Sequence, residues 1–248
     1  MQKHEVMVPM VELLKNQLPN VLMGMRLVEK IETFPDPTEE ELKLQWFLQV
    51  SQGQNFSQGK AQYKKWLLLK GFEDIYKAVR ESLDLLWCYQ KIQEVEATSI
   101  VELKEQVRKF DYKQLIKEIN KIFKGQFSHQ TEFKSFNKLR NSLMHAHGGI
   151  VTRKDCNNDA KSLLTLYGAR PILFFQDGNN RVPMEIGKPS PVNTPLMMGA
   201  EKFQITFSIG DTMELSLKEF VDVASTCFFI KADLEVMLDS IALGELHA

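Results

Sequence analysis

Cysteine is scarce and poorly placed for chemistry. Cys88, Cys156 and Cys227 are the only three among 248 residues, no two form a CxxC, and none sits beside a histidine. That spacing argues against a metal knot, a disulfide framework or a cysteine nucleophile, and leaves buried, reduced thiols as the expectation. Excess charge is missing too: the net charge is -1, so any attraction to RNA or DNA must come from a local patch. No apolar run approaches the roughly 20 residues that span a bilayer. The opening MQKHEVMVPMVELL has Glu5 and Pro9 where a secretion signal needs clean apolar sequence, and a cytoplasmic protein is expected. Also absent are the GxxxxGK[ST] phosphate loop, GxGxxG after a strand, HExxH and GxSxG, and with them several common enzyme classes. There is no internal repeat or low-complexity tract. What is present is 44% hydrophobic and 25% charged residues, enough to bury a sizeable core.

Helical periodicity dominates. Val6 to Leu18 and Asn20 to Phe34 read as two helices separated by Pro19, followed by a breaker at Pro35-Asp36-Pro37. Thr38 with Glu41 matches a capping box opening a third helix, with Leu42, Trp46 and Val50 on one side. A polar loop is expected from Gly53 to Gly59. From Lys60 to about Glu96, Phe72, Ile75, Val79, Leu83 and Leu86 recur at steps of three and four, while Lys77, Arg80, Glu81 and Asp84 take the polar side. Gly71 is a candidate bend. Ser99 with Glu102, and Asp111, are candidate caps for two further helices, the second placing Leu115, Ile119 and Ile122 inward.

On the outer face of that second helix Lys113, Lys117, Lys121 and Lys124 form a stripe. Residues 104 to 140 hold ten Lys or Arg against four Asp or Glu, the one basic island in a neutral chain. Beyond residue 150 the pattern changes. Leu163 to Leu166 and Ile172 to Gln176 read as strands, the second running into the turn Asp177-Gly178-Asn179-Asn180; Lys188 to Pro195 reads as irregular. Phe203 to Ser208 alternates as a strand should, and Thr212 to Leu215 is a candidate fourth. Ser216 with Glu219 then opens a last helix whose Phe220, Val223, Cys227, Ile230, Leu234, Met237 and Ile241 make an a/d stripe. Such a stripe docks back onto the helices or forms a dimer seam.

The densest set of chemistry-capable side chains lies in FKSFNKLRNSLMHAHGGIV, residues 133 to 151. Wound at about 100° per residue, it puts Phe136, Leu139, Leu143 and Ala146 on a core face. Asn141 and His145 lie together on the polar side with Lys134 and Lys138, and Arg140 sits at the margin of the apolar face. Guanidinium grips phosphate with paired hydrogen bonds, and imidazole moves protons near neutral pH. An arginine and a histidine beside a basic surface therefore suit cleavage of an RNA backbone, with the ribose 2′-hydroxyl as nucleophile and no metal required. They equally suit a histidine that caps the last carbonyls of a helix.

Arg140-Asn141-x-x-x-His145 resembles the RNxxxH form of the Rx4–6H motif of HEPN domains, and His147 satisfies the longer spacing. The resemblance is firm over about twenty residues and looser from Lys60 to Val151. It implies a mainly α, HEPN-like antiparallel helical bundle, often dimeric with the two motifs facing each other. It also implies a metal-independent endoribonuclease of the toxin–antitoxin, antiviral or RNA-processing kind, working without a cofactor. In that reading Arg140 stabilises the phosphate, His145 or His147 acts as acid or base, and Asn141 positions them. Lys113, Lys117, Lys121, Lys124, Lys134 and Lys138 hold RNA, and Glu81 is a further acidic candidate. Other members of the family serve as noncatalytic nucleotide- or protein-binding modules, so RNA, a nucleotide, an antitoxin or another protein are the partners implied. The expected organisation is N-terminal helices over 1–55, the helical core over 60–150, a small antiparallel β-sheet inserted over 151–215, and a closing helix over 216–248.

Overall fold

A computed structural model describes residues 1–31, 56–94, 99–125, 127–145, 150–156, 162–177, 180–184 and 194–242. The expected third helix, its Thr38–Glu41 cap, Gly148-Gly149 and most of the Pro-rich segment lie outside the described residues. The architecture is mainly helical, with a small antiparallel sheet before the closing helix: α1 (Lys3–Glu12), a π-helical turn (Leu13–Gln17), α2 (Leu18–Ile31), α3 (Phe56–Glu94), α4 (Ile100–Arg108), α5 (Tyr112–Ile122), α6 (Gln130–His145), β1 (Leu163–Asp177), β2 (Asn180–Pro183), β3 (Leu196–Ser208) and α7 (Leu217–Ala242). Among the described residues no helix is long and apolar enough to cross a membrane.

The 39-residue α3 is the spine, about 58 Å long at 1.5 Å per residue, and the other helices pack along it. Its Phe72, Ile75, Val79, Leu83 and Leu86 are all fully buried, as their spacing predicts. The helix does not bend at Gly71. A Cβ there would fall 2.4 Å from Cζ of Phe220, so the missing side chain lets α7 approach. Phe220 and Phe136 both meet the Phe72 ring edge-on, at 5.9 and 6.1 Å between centroids, which ties α3, α6 and α7 together through aromatic contacts.

Several expectations are corrected. Pro19 does not separate two helices: helix runs through it, and the π turn just before supplies the adjustment, Leu18 N–H reaching Leu13 O. The expected loop of residues 53–59 is already helix from Phe56. Thr212 to Leu215 is not a strand; Thr212 makes an isolated bridge to Ile150.

The two expected strands flanking Pro171 are one continuous strand. β1 pairs with β3 along Leu163 to Phe175, but with β2 only from Phe174 to Asp177. On its other edge, the main chain of Tyr167 is met by Ser135 of α6 and that of Ala169 by Thr226 of α7, with N···O distances of 3.0 Å in both cases. Pro171 comes next, before β2 arrives, and brings no N–H to satisfy. A proline is tolerated mid-strand where that edge has no strand partner.

The capping box at Ser216 and Glu219 forms in both directions. Ser99 accepts from Val101 N–H, and Asp111 from Gln114 N–H. The α7 stripe from Phe220 to Met237 is fully buried against its own chain. It is therefore core and not a dimer seam. All three cysteines are free and buried. Burial pushes the Cys88 thiol up to about 11 and that of Cys227 up to about 12, so neither is an activated nucleophile.

Candidate functional site

α6 is wedged between α3 and the sheet. Phe133, Phe136, Leu139 and Leu143 face the core, and Ser135 and Ser142 are buried as well. That broad buried arc leaves Arg140 and Asn141 half-buried and Lys134 exposed. Arg140 thus lies at the margin of the apolar face, as its spacing predicts.

Its surroundings come mostly from α3. The guanidinium carbon lies 5.1 Å from the centroid of the Tyr76 ring, a cation–π distance. Tyr76 itself stacks on the buried Phe133, 5.1 Å away and 20° from parallel. Nη1 of Arg140 donates to Oδ1 of Asn141 at 3.1 Å. Its Nε is buried and has no hydrogen-bond partner among the described residues. Leaving such a donor unpaired costs about 1–3 kcal/mol.

Arg140 opens into a cavity of about 480 Å³ lined by Lys70, Glu73, Asp74, Tyr76, Lys77, Arg80, Glu81 and Asp84. Four cations and four carboxylates share it. Two pairs are closed: Lys70 with Asp74 at 2.6 Å, and Arg80 with Asp84, whose oxygens lie 2.9 and 3.1 Å from Nε. Arg80 also donates through Nη2 to the carbonyls of Val107 and Phe110, pinning α4 to α3. Burial pushes the Asp84 carboxyl above its ordinary range, against the pull of Arg80. Glu81, the further acidic candidate, lines the same cavity.

His145 is the last residue of α6, one turn beyond Asn141. Its side chain, and the whole of His147, lie outside the described residues. Among the six candidate lysines, Lys113, Lys117, Lys121, Lys124 and Lys134 are exposed. Lys138 instead ties the chain after α6 to the helix, donating to the Lys154 carbonyl at 3.0 Å. The cavity's cations other than Arg140 come from α3 and not from these six. Tyr76 is not legible as a site residue in the sequence, where its one signal is an aromatic placed between the buried Ile75 and Val79 and the polar side. The chain matches no family model, no curated protein and no solved structure.

Proposed function

We propose that this protein is a HEPN-type, metal-independent endoribonuclease. The observation that carries the reading is Arg140: a half-buried guanidinium propped on Tyr76 at the edge of a cavity. An arginine kept for structure is normally occupied by carbonyls or carboxylates, as Arg80 is. A guanidinium that lines a cavity with one hydrogen bond among the described residues, to Asn141, suits an anion that arrives from outside, and phosphate matches its fork.

In this reading the ribose 2′-oxygen attacks phosphorus and its proton passes to an imidazole. The bond from phosphorus to the 5′-oxygen breaks, and a second acid protonates that oxygen. The products are a cyclic phosphate and a 5′-hydroxyl. Arg140 offsets the charge that builds on the phosphoryl oxygens, and Asn141 holds one edge of the guanidinium. His145, or His147 in its place, serves as acid or base; a facing copy of the chain supplies the second imidazole. A toxin–antitoxin, antiviral or RNA-processing role fits that activity.

The four carboxylates of the cavity oppose a polyanion and so favour a second reading, a noncatalytic HEPN-like module that binds a protein, or a nucleotide through its sugar hydroxyls. The test is incubation of purified protein with single-stranded RNA in the presence of chelator. Cutting that disappears in Arg140→Ala and His145→Ala, with both variants folded, supports the nuclease. Intact RNA alongside saturable nucleotide or protein binding supports the module. Undiminished cutting by His145→Ala moves the role to His147.

A further inference from the structure

A second cavity lies along α3 nearer its N-terminus and shares no described lining residue with that of Arg140. Its volume is about 470 Å³. A glycine helps to form it. A Cβ at Gly24 would fall 2.9 Å from Cδ2 of Leu67, so the missing side chain leaves room for α2 to approach α3. Val28, one turn further along α2, then lines the cavity. Thr212, Met213 and Glu214, just before α7, form a further wall. That wall is pinned: Thr212 bridges Ile150, and Val151 N–H donates to the Asp211 carbonyl at 2.9 Å.

The lining divides by chemistry. Val28, Leu68 and Met213 are buried residues that give it apolar surface. Lys60, Lys64 and Lys65, all half-buried, give it positive charge. Lys60, Lys64 and Leu68 follow at steps of four, so helical winding puts two ammonium groups and an apolar side chain on one face. Neither Lys64 nor Lys65 has a hydrogen-bond or ion-pair partner among the described residues. Glu214, the acidic residue of the described lining, is exposed and makes no ion pair with them. From Leu42 to Phe72 the chain holds five lysines and no Asp or Glu, so the neighbouring turns of α3 supply no countercharge.

Three cations against one carboxylate favour an anion. The volume decides what kind. Pockets for small organic ligands run from about 300 to 1,000 Å³, whereas one water takes about 30 Å³. A bare inorganic ion would leave most of the space, and all of the apolar surface, unused. Lysine stems often cover apolar surface with no ligand involved, but here the stems leave a cavity between themselves and the buried side chains.

We propose that this cavity binds a small amphiphilic anion, a carboxylate or phosphate monoester carrying an apolar chain or ring. The head group sits on Lys64 and Lys65, and the apolar body lies against Val28, Leu68 and Met213. Charge-assisted hydrogen bonds hold the head, and removal of the body from water supplies the rest of the affinity. The site is separate from Arg140 and stands whether or not the protein cuts RNA.

The experiment is isothermal titration calorimetry of decanoate and of monodecyl phosphate into the full-length protein, below the concentration at which either forms micelles. Saturable one-to-one binding of at least one of them is expected. Decanol, which lacks the charge, and acetate and inorganic phosphate, which lack the chain, should each bind about 10-fold more weakly or worse. Lys64→Gln/Lys65→Gln is expected to weaken binding by about 10-fold or more. Ala61→Trp brings bulk into the cavity from an exposed position. It should abolish binding and leave the melting temperature within about 2 °C of the parent. No binding of either anion, or equal binding by the lysine double variant or by a folded Ala61→Trp, overturns the proposal. So does decanol, or inorganic phosphate, binding as tightly as the decyl anions. Co-sedimentation with phosphatidylglycerol vesicles without any binding of the free anions assigns the lysines to a membrane surface, and the proposal falls.

Discussion

Two arginines border the same cavity in opposite states. Arg80 is spent: its Nε meets both oxygens of Asp84, and Nη2 reaches two main-chain carbonyls of the segment around α4. Arg140 is held in place, by the Tyr76 ring and one bond to Asn141, yet keeps a buried Nε–H without a partner among the described residues. Residue type and position in the cavity are shared, so neither explains the difference. What differs is the supply of acceptors. Arg80 is on α3 beside the turn after α4, where carbonyls run out of helical partners, whereas Arg140 is flanked by an aromatic ring that offers a face and no lone pair. A guanidinium that folding already satisfies is structural; one that folding positions at the edge of a cavity without satisfying it suits a binding role.

The sharpest break in this comparison is to remove each arginine in turn. Arg140→Ala is expected to lower RNA cutting by about 100- to 1,000-fold, the size of effect found when one charge-stabilising donor is lost. Its melting temperature should barely move, because an unsatisfied buried donor leaves with the side chain. Arg80→Ala should do the reverse in kind. It strands a poorly exposed carboxylate and two carbonyls, for a destabilisation of about 2–4 kcal/mol, read by denaturant unfolding. Comparable destabilisation by both variants would erase the distinction drawn between them.

The contrast between the two is only partly legible in the sequence. Periodicity alone places Arg140 at the margin of the α6 apolar face and Arg80 on the polar side of α3, and both placements hold. The buried stripe of α7 and the Ser216–Glu219 box were equally readable, since each is set by neighbours three or four residues away. What could not be read depends on which distant element arrives. Pro171 looks like a strand breaker until Ser135 and Thr226 are seen to take over the edge where β2 has not yet begun. Pro19 looks like a helix end until the π turn before it is seen. Tyr76 becomes a site residue only because α6 brings Arg140 over it, and Arg140's open valence exists only because no carbonyl comes with it.

Tyr76 permits a finer cut. If the ring props the guanidinium through its face, Tyr76→Phe should leave cutting within about 2-fold of the parent, whereas Tyr76→Leu should lower it by about 3- to 10-fold, the worth of an exposed to partly desolvated cation–π contact. Equal losses in the two variants would mean that the hydroxyl, and not the ring, does the holding.

Glu132, in the first turn of the same α6, tests whether every under-partnered group is a binding group. Its Oε2 also lacks a hydrogen-bond partner, and the side chain is only 3% exposed. His129 Nδ1 stands 3.6 Å and Lys202 Nζ 3.8 Å from Oε1. Burial pushes this carboxyl up, but the His129 ring, the main chain at the helix start and the charge of Lys202 outweigh burial and hold it below its ordinary range. A lowered folded-state value means that the ionised form stabilises the fold. That stability is fully present above the unfolded carboxylate value near about 4.3, and it is lost as pH falls through the lower folded value. Glu132→Gln should therefore flatten the fall in melting temperature across the acid range while leaving RNA cutting at neutral pH unchanged. A change in cutting would place Glu132 with Arg140 instead of with Arg80. An unchanged acid profile would show that the carboxylate does not stabilise the fold, and that an open valence walled in by the chain's own side chains is mere cost.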